Sequence, residues 1–148
     1  MPKVTPAKDM IFNTAESLSF NGNTGPYLQY MGARISSMIR KFSDQKDKFK
    51  DISVDSSLLK VEEEKEIIKM LLSYPEVVIQ AAEDLNPSCL TAFLYDLARL
   101  YSRYYHDNPV LTNENRQLAF TRMHLSMAVL QVFRNGFELI GIPYLEKM

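Results

Sequence analysis

Few residues in this 148-residue chain offer chemistry: one cysteine, Cys89, two histidines, His106 and His124, and a carboxylate run at Glu62-Glu63-Glu64-Lys65-Glu66. One thiol forms no internal disulfide, and two imidazoles do not complete a multi-thiolate metal site, so Cys89 reads as a lone buried side chain. Consecutive carboxylates point around a helix instead of converging, and these read as a solvated helix face. Ser36, Ser37, His106 and Asp107 lack the spacing of a nucleophile and its base. Neither G-x-x-x-x-G-K-[ST] nor G-x-G-x-x-G occurs. Asn21-Gly22-Asn23-Thr24-Gly25 has the outline of an anion-binding turn ahead of a helix, but no lysine follows it. On residue types alone, the chain carries no catalytic machinery.

Binding chemistry is better represented. The formal charge of −1 hides two opposed blocks. Arg34, Arg40, Lys41, Lys46, Lys48 and Lys50 face only Asp44 and Asp47, whereas Asp51 to Glu66 carries six acids against Lys60 and Lys65. Between Asn115 and Phe137, Arg116, Arg122 and Arg134 meet no acid. The total therefore does not exclude a basic face. Four of the eight tyrosines, Tyr95, Tyr101, Tyr104 and Tyr105, fall within eleven residues, with Arg99 and Arg103 among them. Spaced four apart, Tyr95, Arg99 and Arg103 share one helical face, apart from Leu97 and Leu100. Flat rings and guanidinium planes beside positive charge suit unstacked bases, where stacking contributes about 1–3 kcal/mol per base. The plainer alternative is that each tyrosine is a core-edge residue with a wet hydroxyl. Tyr27, Tyr30, Arg34, Ser37 and Lys41 form a second basic and aromatic stripe at steps of three and four. Its partner on pattern alone is RNA, an acidic protein or another domain.

These side chains need helices to carry them. Asn23 or Thr24 supplies an N-cap oxygen and Pro26 suits a first helical turn. Leu28, Met31, Ile35, Met38, Ile39 and Phe42 then recur as one buried stripe, and the helix ends near Phe42. A second helix opens on Glu62 to Glu66, acids that suit the positive end of its dipole, with Ile67, Ile68, Leu71 and Leu72 as its core face. Ser73-Tyr74-Pro75-Glu76 predicts a break and restart, followed by a short helix over Val77 to Leu85 that Asn86-Pro87 stops. A helix from Pro87 to His106 turns Leu90, Phe93, Leu94, Leu97, Leu100 and Tyr104 inward. The last helix, from Asn113 to Ile140, has enough apolar positions, including Leu118, Met123, Leu125, Ala128, Val129, Val132 and Phe133, for the centre of a bundle.

The expectation is an all-α bundle of about five helices with an irregular N-terminal arm, residues 1–22, ahead of a helical domain over 23–148. Within the arm, Met10-Ile11-Phe12 and Ser17-Leu18-Ser19-Phe20 read as an apolar patch with strand character and no partner. No apolar run approaches the length of a membrane span and no signal peptide opens the chain, so a soluble, cytoplasmic protein is expected.

One stretch is more specific than these patterns. Phe20-Asn21-Gly22-Asn23-Thr24-Gly25-Pro26-Tyr27-Leu28-Gln29-Tyr30, followed by Ala33-Arg34-Ile35, closely resembles the F-x-G-x-T-G-P-Y-L-Q-Y-x-x-A-R segment of arginyl-tRNA synthetases. Leu71-Leu72-Ser73-Tyr74-Pro75-Glu76-Val77-Val78 resembles the family's L-x-x-Y/F-P-E-x-V, and Leu94-Tyr95-Asp96-Leu97-Ala98 its L-Y-D-L-A helix. Asn108-Pro109-Val110-Leu111, Asn135 to Ile142 and the terminal Glu146-Lys147-Met148 extend the likeness, which covers the chain from about Asp9 onward.

The resemblance implies the DALR-type anticodon-binding bundle of a class I synthetase, preceded by the last piece of its catalytic domain. The family's HIGH signature and KMSKS-like loop have no counterpart here, so the chain is expected to be a fragment that is inactive alone. Its parent would ligate arginine to tRNA with ATP and magnesium, and the fragment itself would need no cofactor or metal. Carried over by motif, Tyr30 and Arg34 would face the anticodon arm, Tyr104 or Tyr105 would lie near the anticodon loop, and Met148 would lie close to the same region. In this reading Arg34, Lys41, Arg99 and Arg103 contact phosphates, while Tyr30 and Tyr104 or Tyr105 stack on unpaired bases. The implied partners are the tRNA for arginine and the protein's own catalytic domain, with no role for DNA or a membrane. A monomer is expected, with weak dimerisation through the arm as a variant. The contrasting reading is a helical interaction or structural module that binds no RNA, its exposed arm from Ile11 to Phe20 packing on an absent domain.

Overall fold

The computed structural model describes residues 13–20 and 22–148; the Met10-Ile11-Phe12 part of the predicted arm and Asn21 lie outside them. Four long helices form the bundle: α2 (Gly25–Ser43), α3 (Glu62–Glu83), α4 (Pro87–Asp107) and α5 (Arg116–Leu139). A one-turn helix, α1 (Thr14–Ser17), precedes them, and 3-10 turns at Lys46–Phe49 and Ser56–Leu58 fill the connection from α2 to α3. Among the described residues there is no strand, and no helix is long and apolar enough to cross a membrane. Of the stretch Ser17-Leu18-Ser19-Phe20, expected to have strand character, Ser17 ends the short helix Thr14–Ser17 and the rest forms no strand.

Side-chain oxygens start three of the long helices. Thr24 Oγ1 accepts from the Tyr27 amide at 3.2 Å and donates to the Ser19 carbonyl, so the glycine-rich turn is spent on capping α2. Asn86 accepts from the Ser88 amide ahead of α4, and Asn115 from the amides of Gln117 and Leu118 ahead of α5. The last helix thus begins at Arg116, slightly later than its apolar pattern suggests.

The predicted interruption at Pro75 does not occur, which reduces five expected helices to four long ones. Proline there forfeits one backbone hydrogen bond and in isolation costs about 3 kcal/mol. Helix α3 lies against α4, with Ile67 wholly buried and the Tyr74 and Phe93 rings 5.9 Å apart ahead of the proline, and Val77, Val78 and Ala81 packed on the core beyond it. That continuous packing offsets the missing bond. Helix α3 stops beyond Glu83, where Leu85 adopts a left-handed φ of 49° and the Asn86 amide reaches back to the Ala81 carbonyl.

Contacts along the helices fix an up-down-up-down arrangement. Gly32 near Phe137 and Phe42 near Phe120 make α2 and α5 antiparallel. Tyr27 on Tyr95 and Arg34 on Tyr105 make α2 and α4 parallel. Helix α5 touches the other three long helices and both 3-10 turns, so it is the central element. The α2 stripe of Leu28, Met31, Ile35, Met38 and Phe42 is buried, with Ile39 packed at its margin. Leu72 and Ala128 were expected inside; Leu72 is 75% exposed and Ala128 lies on the surface, because each falls on the outer side of its helix. Cys89 is only half-buried, its thiol directed at the Asn86 carbonyl.

The carboxylate run is not a uniformly wet face. Glu64 is completely buried, since its position in the first turn of α3 turns it toward α5. One carboxylate oxygen caps the Val61 amide at 3.0 Å, and the other accepts from Arg122 Nε at 2.7 Å.

Candidate nucleic-acid interface

The outer stripe of α2 stands beside the end of α4. Arg34 lies with its guanidinium carbon 4.8 Å from the Tyr105 ring centroid, a cation–π contact that joins the two helices. Tyr105 in turn stacks on Tyr101 at 6.2 Å and 21°. Tyr101 is buried and donates its hydroxyl to Ser126 Oγ at 2.7 Å, so the half-exposed Tyr105 ring rests on a fixed support.

Beside this contact runs a groove of about 730 Å³, bounded by Arg34, Ser37 and Lys41 of α2, Tyr105 and His106 of α4, and the Pro109–Thr112 connection. Across Arg34 and Ser37 lies a second depression of about 390 Å³, lined by Tyr30, Ala33, Arg40, Lys147 and Met148. Arg34, Arg40, Lys41 and Lys147 contribute positive charge, and no carboxylate side chain lines either hollow among the described residues.

The C-terminal tail reaches this surface because α2 holds it along its length. Gln29 donates to the Pro143 carbonyl, Ser36 and Tyr144 share a hydroxyl–hydroxyl hydrogen bond, and Arg40 donates to the Glu146 carbonyl. Arg134 adds a guanidinium over the Tyr144 ring at 4.6 Å. Gly32 packs beneath that ring, where a Cβ would meet Tyr144 at 3.4 Å and Phe137 at 3.5 Å in ordinary van der Waals contact.

Thus Tyr30, Arg34, Lys41, Tyr105 and Met148 share one surface. Tyr104 does not join them. It is fully buried and its hydroxyl donates to Glu64 Oε1 at 3.2 Å, so of the two neighbouring tyrosines only Tyr105 reaches the groove. One step along a helix turns a side chain by about 100°, enough to separate core from groove. Burial, reinforced by the Glu64 carboxylate, pushes the Tyr104 phenol well above its usual range; burial alone dominates for Tyr101. Both therefore remain protonated donors.

Arg103 also departs from the predicted arrangement. It leans toward α3, 3.6 Å from Glu66 and 4.0 Å from Glu63, so its charge is met by carboxylates. Arg99 is exposed and sits over Tyr95 at 5.7 Å, on the part of α4 that faces Tyr27. Neither lines the hollows beside Arg34. Arg122, counted among the arginines that meet no acid in their own stretch, is not on a basic face: it is 5% exposed and donates to Glu64 and the Pro109 carbonyl. A lone arginine inside an apolar helical run was the available signal, but its acid lies 58 residues away. Among the described residues, no three His, Cys, Asp or Glu side chains converge as metal ligands.

Comparison with known proteins adds to this geometry. The model of the DALR anticodon binding domain family matches residues 28–148. An arginine-tRNA ligase of Treponema denticola is 50% identical over 148 residues, 99% of this chain and 25% of that protein. Another from Treponema pallidum is 45% identical with the same coverage. The solved arginyl-tRNA synthetase of Thermus thermophilus matches with a TM-score of 0.86 at 33% identity, over 99% of this chain and 25% of its own. The chain spans about a quarter of the length of these relatives.

Proposed function

Because the chain belongs to the DALR anticodon binding domain family, we propose that the surface around Arg34 seats the anticodon stem and loop of an arginine tRNA. The observation that carries this reading is the Arg34–Tyr105 platform, flanked by hollows that collect four cations and, among the described residues, no carboxylate side chain. Unpaired bases stack on Tyr30 and on the Tyr105–guanidinium pair, while Lys41, Arg40 and Lys147 meet phosphates. Met148 adds an apolar contact at the edge. Arg99 has a peripheral part, and Arg103 a smaller one, since bringing a phosphate to it means competing with Glu63 and Glu66.

The activity to which this binding contributes belongs to a longer protein, an arginine-tRNA ligase that uses ATP and magnesium in a region outside this chain. Residues 1–22 form the end of that region and 23–148 the binding domain. The bundle fixes the anticodon arm so that the acceptor end reaches the reacting atoms in register, a contribution of orientation. A contact with that larger remainder is supported by the apolar side chains left exposed near the start of the bundle, Leu18 at 65% and Phe20 at 56%.

Titration of the chain with an arginine tRNA and with an unrelated tRNA, at several salt concentrations, tests the reading. Preference for the arginine tRNA with steeply salt-dependent affinity is expected; equal affinities with a flat salt response overturn it. Arg34→Ala should weaken binding and lower the salt slope by about one.

A further inference from the structure

The groove's second wall, the Pro109–Thr112 connection, has no secondary structure of its own to hold it. It is fastened from inside. Arg122 Nη1 donates to the Pro109 carbonyl at 3.0 Å, and Nη2 lies 3.5 Å from Asn108 Oδ1. Asn108 is bound through both its amide and its side chain to the Tyr104 carbonyl, at 2.9 and 3.1 Å. Tyr104 precedes the groove ring Tyr105 and returns to the same centre through its hydroxyl on Glu64. Arg122 is itself aligned by Glu64 through Nε.

One buried guanidinium therefore spends its three nitrogens on two elements: Nε on the start of α3, the other two on the turn leaving α4. A pair that only stabilised the core would not need to reach a surface connection. We infer that Arg122 and Glu64 are positioning residues for the RNA groove, holding the Pro109–Thr112 wall at a fixed separation from Arg34 without touching RNA. The inference rests on the anticodon-arm reading above.

Two variants separate positioning from plain stability. Arg122→Lys keeps a cation for Glu64 but cannot also span to Pro109 and Asn108, and the double variant Glu64→Met with Arg122→Met replaces the pair with apolar side chains of similar length. Buried ion pairs replaced in this way often retain or gain stability. The measurements are amide hydrogen exchange over residues 108–112, thermal unfolding, and titration with an arginine-tRNA anticodon stem and loop.

The expected result is exchange in 108–112 about tenfold faster and affinity weakened about tenfold in whichever variant folds, beyond what its change in unfolding temperature accounts for. Unchanged protection of 108–112 overturns the inference, as does wild-type affinity in a folded variant. Should the unmodified chain show no preference for the arginine-tRNA stem and loop, the anticodon-arm reading falls, and exchange over 108–112 still decides whether Arg122 holds the wall.

Discussion

The two ends of the bundle are built from opposite materials. Where α2 and α4 finish and α3 and α5 begin, the surface is cationic and aromatic, and a charged network lies beneath it: Glu64, Arg122, Tyr104 and Asn108. Where α3 and α5 finish, Tyr74, Pro75, Val78, Ile79 and Leu139, together with Asn135 and Glu138, line a mostly apolar depression of about 560 Å³, with Ile79 57% and Leu139 58% exposed. There α4 and α5 meet in close apolar contact. Gly136 lets α5 approach α4 so tightly that a Cβ on it would lie 2.7 Å from Leu94 Cδ2. Hydrogen bonds have directions and fix positions, whereas apolar packing tolerates small slips. The end proposed to seat RNA is the end with a directional interior.

Breaking the directional end should cost most. Glu64→Ala strands the Arg122 guanidinium in the core and is expected to reduce stability by about 3–5 kcal/mol, read from denaturant unfolding. A loss below about 1 kcal/mol would mean that solvent reaches the pair and that the contrast between the ends is overstated. At the apolar end, Gly136→Ala should cost about 1–3 kcal/mol by forcing the enclosed Leu94 side chain aside, while RNA affinity of the folded fraction stays as it was. A binding defect there would link the ends mechanically.

The neighbouring tyrosines sharpen the contrast within a single helix. Tyr105→Ala should weaken RNA binding by about 1–3 kcal/mol with little change in unfolding. Tyr104→Phe should leave binding nearly intact and cost about 0.5–1.5 kcal/mol of stability through the lost bond to Glu64. Paired titration and thermal unfolding of the two variants check both halves.

The comparison also explains what could be read in the sequence. The α2 stripe, Thr24 with Pro26, and the apolar excess of α5 are local patterns of period or capping, and local physics sets them. Tyr30 and Arg34 were legible as an outer stripe because the core of α2 lies wholly on its other side. Pro75 misled because the proline rule describes an isolated helix, whereas the packing of Ile67 and Tyr74 before it and of Val77, Val78 and Ala81 after it is tertiary. Glu64 and Arg122 each looked ordinary beside their sequence neighbours; only the return of α5 past the start of α3 makes them a pair. Arg103 shared a face with Arg99 on pattern, but where its charge goes depends on Glu63 and Glu66, which another helix supplies.

The most direct test of the central claim is a residue-resolved amide NMR titration of the chain with an isolated arginine-tRNA anticodon stem and loop. The largest shifts are expected within residues 30–41, 105–112 and 146–148, with residues 72–79 and 135–139 undisturbed. Shifts concentrated around Ile79 and Leu139, with Arg34 and Tyr105 silent, would contradict it.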